Sequence, residues 1–131
     1  MTTFVDTNVI VRHLTGDPPD LASRATRYLE RGEPLLLPDL IVAEVAYVLA
    51  SFYKFSRVRV ADELRTTITS PGIRVVDLDL LVRSVDLYEI HRLDFADAYL
   101  VALAERTGVG AVASFDRDID RPGTVTRIEP M

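Results

Sequence analysis

Short apolar runs of strand length alternate along this chain with segments of helical periodicity, and that alternation limits it to few folds. The strand-like runs are Thr3 to Val5, Leu35 to Leu37, Ile73 to Val76 and Ala111 to Ala113, with Val125 to Ile128 as a short edge candidate. Strands separated by helices need crossover connections, and crossovers produce parallel pairing in a sheet covered on both faces. The expectation is a three-layer α/β/α sandwich with a central, mainly parallel sheet of four to five strands. With 131 residues, 48% of them hydrophobic, the chain has enough core for one such domain, residues 1–131, and too little for two.

The helices are punctuated by residues with a mechanism. Asn8 to Leu14 reads as a short helix after the first strand. Asp17-Pro18 offers an N-cap with proline at the first helical position, for a helix through Leu21, Ala25, Tyr28 and Leu29 that Gly32 ends. Pro38-Asp39 opens a helix to about Phe52. Ser56 caps another, Arg57 to Thr69, with Val60, Leu64 and Ile68 on one stripe, and Pro71-Gly72 breaks it. Asp79 begins a helix through Leu81, Val85 and Tyr88, and Asp94 caps the last one, Phe95 to Arg106, which Gly108 terminates.

Against this frame, four acids stand out: Asp6, Glu44, Asp97 and Asp116. Asp6 and Asp116 follow strand-like runs directly, at the carboxyl ends where parallel sheets bind ligands. At helical spacing Glu44 shares a face with Ile41, Val45 and Val48, and Asp97 with Leu93, Leu100, Val101 and Ala104. Such faces are expected to point inward, where an unpaired carboxylate costs several kcal/mol. A hard divalent cation satisfies several carboxylates at once, which points to a magnesium site. Each acid also has a structural reading. Asp6 and Asp94 can cap helices, Asp116 can start a turn, and Asp97 suits a first helical turn, while Glu44 in mid-helix has no such role.

Other chemistries are narrowed by composition. The absence of cysteine excludes disulfides, thiolate metal sites and cysteine nucleophiles, and the two histidines, His13 and His91, are too far apart in sequence to form a zinc motif. No run approaches the roughly 18 to 20 apolar residues of a membrane span, and the start of the chain lacks a signal-peptide pattern; a soluble, cytoplasmic protein is expected. A net charge of -5 argues against non-specific coating of nucleic acid. It leaves a nuclease open, because a bound cation inverts the local charge of an acidic site. All the basic residues except Lys54 are Arg, a bias that fits bidentate phosphate contact or simply a GC-rich genome.

These residues resemble a known family. Asp6-Thr7-Asn8-Val9-Ile10, Val42-Ala43-Glu44-Val45, Asp94-Phe95-Ala96-Asp97-Ala98 and Ser114-Phe115-Asp116-Arg117-Asp118, in that order, are similar to the motifs of PIN-domain ribonucleases, and size and motif order look most like the VapC toxins of toxin-antitoxin pairs. The resemblance covers nearly the whole chain. It implies a Mg2+ or Mn2+ dependent endoribonuclease, held inactive by a small cognate antitoxin and often dimeric. It carries the metal and catalytic roles onto Asp6, Glu44, Asp97 and Asp116, with Asn8 and Ser114 as polar supports. Asp94 and Asp118 become supporting acids, Asp94 also being an alternative ligand to Asp97.

The chemistry that follows is hydrolysis by metal-activated water, leaving a 5'-phosphate and a 3'-hydroxyl, with Asp6 and Asp116 first in line as direct ligands and no histidine required. Arg12, His13, Arg117 and Arg121 follow two of the acidic motifs and are either RNA-phosphate contacts or plain surface residues. Tyr47, Phe52, Tyr53 and Phe55 form either a docking or dimer surface or ordinary core. Two other functions also fit an acid after a strand: an aspartyl-phosphate phosphotransferase, and an interaction domain that keeps the fold without activity. The first usually pairs its Asp with a Lys, and here the only Lys, Lys54, stands in a different setting.

Overall fold

A computed structural model describes residues 2–131 and divides them into two compact units, one through Val76 and one from Asp77. The class is the expected one, α/β with parallel strands. Every strand pair is parallel.

In the first unit, β1 (Thr3–Phe4), β2 (Leu35–Leu36) and β3 (Ile73–Arg74) form a ladder in that order, with Thr3 opposite Leu35 and Leu35 opposite Ile73. Helices α1 (Thr7–Thr15), α2 (Pro19–Glu30), α3 (Asp39–Ser51) and α4 (Arg57–Ile68) fill the connections. α1 packs on α2 and α3, and α3 on α4. Their apolar stripes meet around Ile10, Leu35, Val42, Leu49, Val60 and Leu64, all fully buried. The third strand stops at Arg74 rather than reaching Val76, which is almost wholly exposed and has no strand beside it to pair with.

Local signals explain most boundaries. Gly16 closes α1 in the left-handed region at φ 71°, donating its N–H to the Arg12 carbonyl. Ser56 Oγ accepts from the Arg59 N–H and caps α4 as expected. Asp17 does not cap α2. The N-cap is Pro18, Pro19 takes the first helical position, and the Asp17 carboxylate instead accepts a hydrogen bond from the Tyr53 hydroxyl at 3.1 Å.

The second unit begins with α5 (Leu78–Ile90), one residue earlier than expected because Asp77, not Asp79, caps it by accepting from the Leu80 N–H at 3.1 Å. α6 (Phe95–Thr107) packs along it, with Leu81, Val85 and Leu87 on α5 and Val101 on α6 fully buried. Arg83 and Glu105 add a two-pronged ion pair, at 2.8 and 3.0 Å. β4 (Ala111–Ala113) then pairs with β5 (Thr126–Ile128), Ala111 opposite Thr126. Their connection contains only a short 3-10 turn, Arg117–Asp120, close to the dozen or so residues that a parallel crossover needs. The five strands are thus hydrogen-bonded as a ladder of three and a ladder of two. Among the described residues no helix is long and apolar enough to cross a membrane.

Candidate functional site

Each unit carries two of the four acids. In the first, β1 delivers Asp6 to the start of α1, where Asp6 Oδ1 accepts the Thr7 N–H at 2.7 Å. The capping reading of Asp6 is therefore correct, and it uses one carboxylate oxygen. Asp6 is otherwise exposed. Glu44, in the second turn of α3, lines the same cavity of about 370 Å3 as Asp6, with Asn8, Arg12, Phe52 and Tyr53 also on its walls.

Glu44 is exposed, contrary to the inward face expected for it. The reason lies in α3 itself. Its buried stripe is Val42, Val45, Ala46 and Leu49, but the helix is apolar well beyond that stripe, so Leu40 and Tyr47, one turn to either side of Glu44, are also exposed. Periodicity cannot separate the inner face from the outer one in so uniformly apolar a helix. Glu44 thus avoids the burial cost that first drew attention to it. Thr7, between Asp6 and Asn8, is a residue the sequence did not flag: it is buried, and among the described residues its hydroxyl has no hydrogen-bond partner.

In the second unit, the start of α6 and the turn after β4 bring Asp97 and Asp116 together. Asp94 occupies the N-cap position of α6 but its side chain makes no capping hydrogen bond, so the cap reading fails for its carboxylate. Asp97 is half-buried one turn later. Its flank of Leu93, Val101 and Ala104 is buried as expected, while Leu100 is exposed. The turn is built from its own side chains: Asp116 N–H donates to Ser114 Oγ at 2.9 Å, and Asp118 N–H donates to Asp116 Oδ1 at 2.9 Å. That satisfies the turn reading of Asp116 and explains Ser114 as its support.

The electrostatics of this group are unbalanced. Burial, followed by the negative charges of Asp116, Asp94 and Asp118 and by a hydrogen bond with the Asp116 side chain, pushes the Asp97 carboxyl above its ordinary range. Asp118 is paired with Arg121 at 2.8 Å, but Asp97 and Asp116 form no ion pair among the described residues. A cation placed between these acids would offset the negative charge that raises Asp97.

The donor set fits a hard cation. Mg2+ keeps several waters and is commonly held by one or two carboxylates, so acids of this kind are of the right chemistry for it. Among the described residues no three acidic or imidazole groups are gathered closely enough to hold an ion.

The four basic candidates divide. Arg12 lines the Asp6 cavity and Arg117 is exposed. His13 is engaged, its Nδ1 lying 2.7 Å from Thr26 Oγ1. Arg121 is committed to structure, since beyond Asp118 it donates to the carbonyl of Arg92 at 2.9 Å and tethers the α5–α6 corner. Of the aromatic cluster, Tyr47 and Phe52 are 70% and 74% exposed, which rules out ordinary core packing for those two. Phe52, Tyr53 and Phe55 touch edge to face in sequence, at centroid distances of 5.0 and 6.2 Å.

Acids placed after parallel strands and at helix starts are the pattern on which the resemblance rested, and comparison with known families agrees. The PIN domain family matches residues 3–124, and the chain belongs to that family. It is similar to a protein described as a VapC ribonuclease from Aquifex aeolicus (strain VF5), with 24% identity over 126 residues that span 94% of this chain and 93% of that protein.

Proposed function

We propose that residues 1–131 form one PIN domain acting as a metal-dependent endoribonuclease, the toxin of a toxin-antitoxin pair. The observation that carries this reading is the grouping of Asp97 with Asp116, Asp94 and Asp118 around the start of α6 and the turn after β4, where their negative charges raise the Asp97 carboxyl and neither Asp97 nor Asp116 has an ion-pair partner among the described residues. Family membership and similarity to a VapC ribonuclease support the reaction class.

In this reading Asp97 and Asp116 hold Mg2+ or Mn2+, and Asp6 and Glu44 are the further acids of the reaction, assigned by the family's motif order. When bound, the cation supplies charge stabilisation to the phosphodiester and lowers the pKa of water. The chain's own residues do the rest. Ser114 fixes Asp116 through its backbone N–H, and Asp118 N–H holds one Asp116 oxygen in place. Arg121 pairs with Asp118 and holds that acid in place beside the turn. Asn8 stands beside Asp6 on the wall of the same cavity and serves as its polar support. No imidazole is needed, and His13 is already occupied. The products are a 5'-phosphate and a 3'-hydroxyl.

The antitoxin, by the same reading, is a small protein that covers exposed apolar surface, for which Tyr47 and Phe52 are available. A homodimer in the cytoplasm completes the proposal.

The test is cleavage of a mixed RNA pool by purified protein with Mg2+, with EDTA, and with Asp97→Asn and Asp6→Asn as controls for contaminating nuclease. The expected result is cleavage that requires the metal and both acids and leaves 5'-phosphate ends. Cyclic phosphate ends, or equal cleavage by either variant, would refute it.

A further inference from the structure

Beside the Asp6 cavity, on the outer side of α1, lies a larger groove of about 710 Å3 between α1 and α2. Its floor is apolar, but its rim is basic. Arg24 and Tyr28 share one face of α2, four residues apart, with Arg27 on the flank, and Arg12 faces them from α1. Phe4, at the end of β1, closes one end and is 69% exposed.

These three arginines differ from most others in the chain. Arg31, Arg59, Arg65, Arg83, Arg106, Arg121 and Arg127 each pair with a carboxylate. Arg12, Arg24 and Arg27 form no ion pair among the described residues, although the chain carries 20 acidic residues against 15 basic ones. An acidic protein that leaves three guanidinium groups unpaired along one groove has kept positive charge there without neutralising it internally. The aromatic rings suit a partner with flat faces. Phe4 is open, and the Tyr28 ring is backed by Arg31, whose guanidinium carbon lies 3.9 Å from the ring centre. Guanidinium groups for phosphates and rings for unpaired bases are together the chemistry of single-stranded RNA binding.

We infer that the α1–α2 groove is the binding track for single-stranded RNA, with Arg12, Arg24 and Arg27 holding phosphates and Phe4 and Tyr28 stacking on bases. Asp6 and Asn8 line the groove and also the neighbouring cavity that holds Glu44. An RNA strand in the track is therefore led to two of the acids assigned to cleavage. This inference rests on the nuclease reading only for what happens to the RNA after it binds.

The experiment is fluorescence anisotropy of a labelled single-stranded RNA oligonucleotide in EDTA, so that binding is read without cleavage, at several KCl concentrations. The double variant Arg24→Glu/Arg27→Glu is expected to bind at least tenfold more weakly, with the salt slope flattened by about 1.4, two phosphate contacts at roughly 0.7 each for single strands. Phe4→Ala is expected to weaken binding several-fold and leave the slope unchanged. Arg65→Glu, on α4 and already paired with Asp62, is expected to change neither. No binding by the wild type, or wild-type affinity and slope in the folded double variant, would overturn the inference. Competition by poly-glutamate as effective as by RNA would overturn it in favour of an acidic protein segment. RNA that binds in this track without being cut by the metal-loaded protein refutes the nuclease reading alone. Cleavage through Asp97 and Asp116 that ignores the double variant refutes the groove alone.

Discussion

Replacing Asp97 by Asn is expected to make the metal-free protein more stable, the reverse of what most substitutions at a half-buried site do. The negative charges of Asp116, Asp94 and Asp118 all bear on Asp97. Two unit charges about 4 Å apart repel by roughly 1 kcal/mol in water and about 4 kcal/mol at an effective dielectric of 20. Asp97 is only half-buried, so solvent screening brings the realised repulsion toward the lower figure, about 1 to 2 kcal/mol. Asn keeps the shape and removes the charge. In EDTA at pH 7 the melting temperature of Asp97→Asn is therefore expected to rise by roughly 3 to 8 °C for a chain of this size.

The pH dependence follows from the direction of the shift. The folded carboxyl sits above its reference value of 3.8. Between that value and the raised one, the folded state binds more protons than the unfolded state, so wild-type stability falls as pH rises. The benefit of Asn is full above the raised pKa and shrinks toward zero as pH falls to about 3.8. On the proposed reading Mg2+ binds the same carboxylates, and it is expected to stabilise the wild type by about 2.7 kcal/mol at 100 times its dissociation constant. The variant, with one ligand weakened, responds less. Thermal unfolding by circular dichroism from pH 4 to 8, with EDTA and then with Mg2+, measures all three effects. A variant less stable than the wild type in EDTA at pH 7, or a benefit undiminished at pH 4, would refute the reasoning.

Three further outcomes are expected. Arg83→Met breaks the two-pronged pair with Glu105, which also accepts a hydrogen bond from the Thr124 hydroxyl, and costs about 1 to 2 kcal/mol in urea unfolding at pH 7. Because Arg83 holds the Glu105 carboxyl below its reference 4.5, that contribution is full above pH 4.5 and fades as pH falls through the lowered value; a loss that stays constant into acid would sink the assignment. Leu81→Ala, at a fully buried position on α5, is expected to cost about 2 to 5 kcal/mol in the same assay, and a cost below 1 kcal/mol would show that the α5–α6 seam is not packed as described. Ser56→Ala removes the α4 cap and is expected to cost about 1 kcal/mol, with Ser56→Asp restoring it.

Much of this protein is legible in its amino-acid order because local rules decide it. Helix ends at Ser56, Gly108 and Pro71-Gly72 follow from dihedral preference and capping, which involve only a few neighbouring residues. Parallel pairing follows from strands too far apart in sequence to join by hairpins. Three of the four acids, Asp6, Asp97 and Asp116, stand out by position, since strand ends and helix starts are themselves local features.

Other properties were settled only when distant segments met. Glu44 lies on an outward face because the packing of α3 selects one stripe of a helix that is apolar nearly all round. Asp17 gives up a cap for a hydroxyl that arrives from Tyr53, and Arg121, though exposed, is engaged by Asp118 and a backbone carbonyl of the α5–α6 corner. Asp97 and Asp116, nineteen positions apart, become one electrostatic unit only because α6 and the β4 turn converge. The unpaired rim of Arg12, Arg24 and Arg27 likewise exists only once α1 lies on α2. Capping and periodicity are short-range and can be read one residue type at a time. Ion pairing and burial depend on distances through space, which the order of residues alone does not contain.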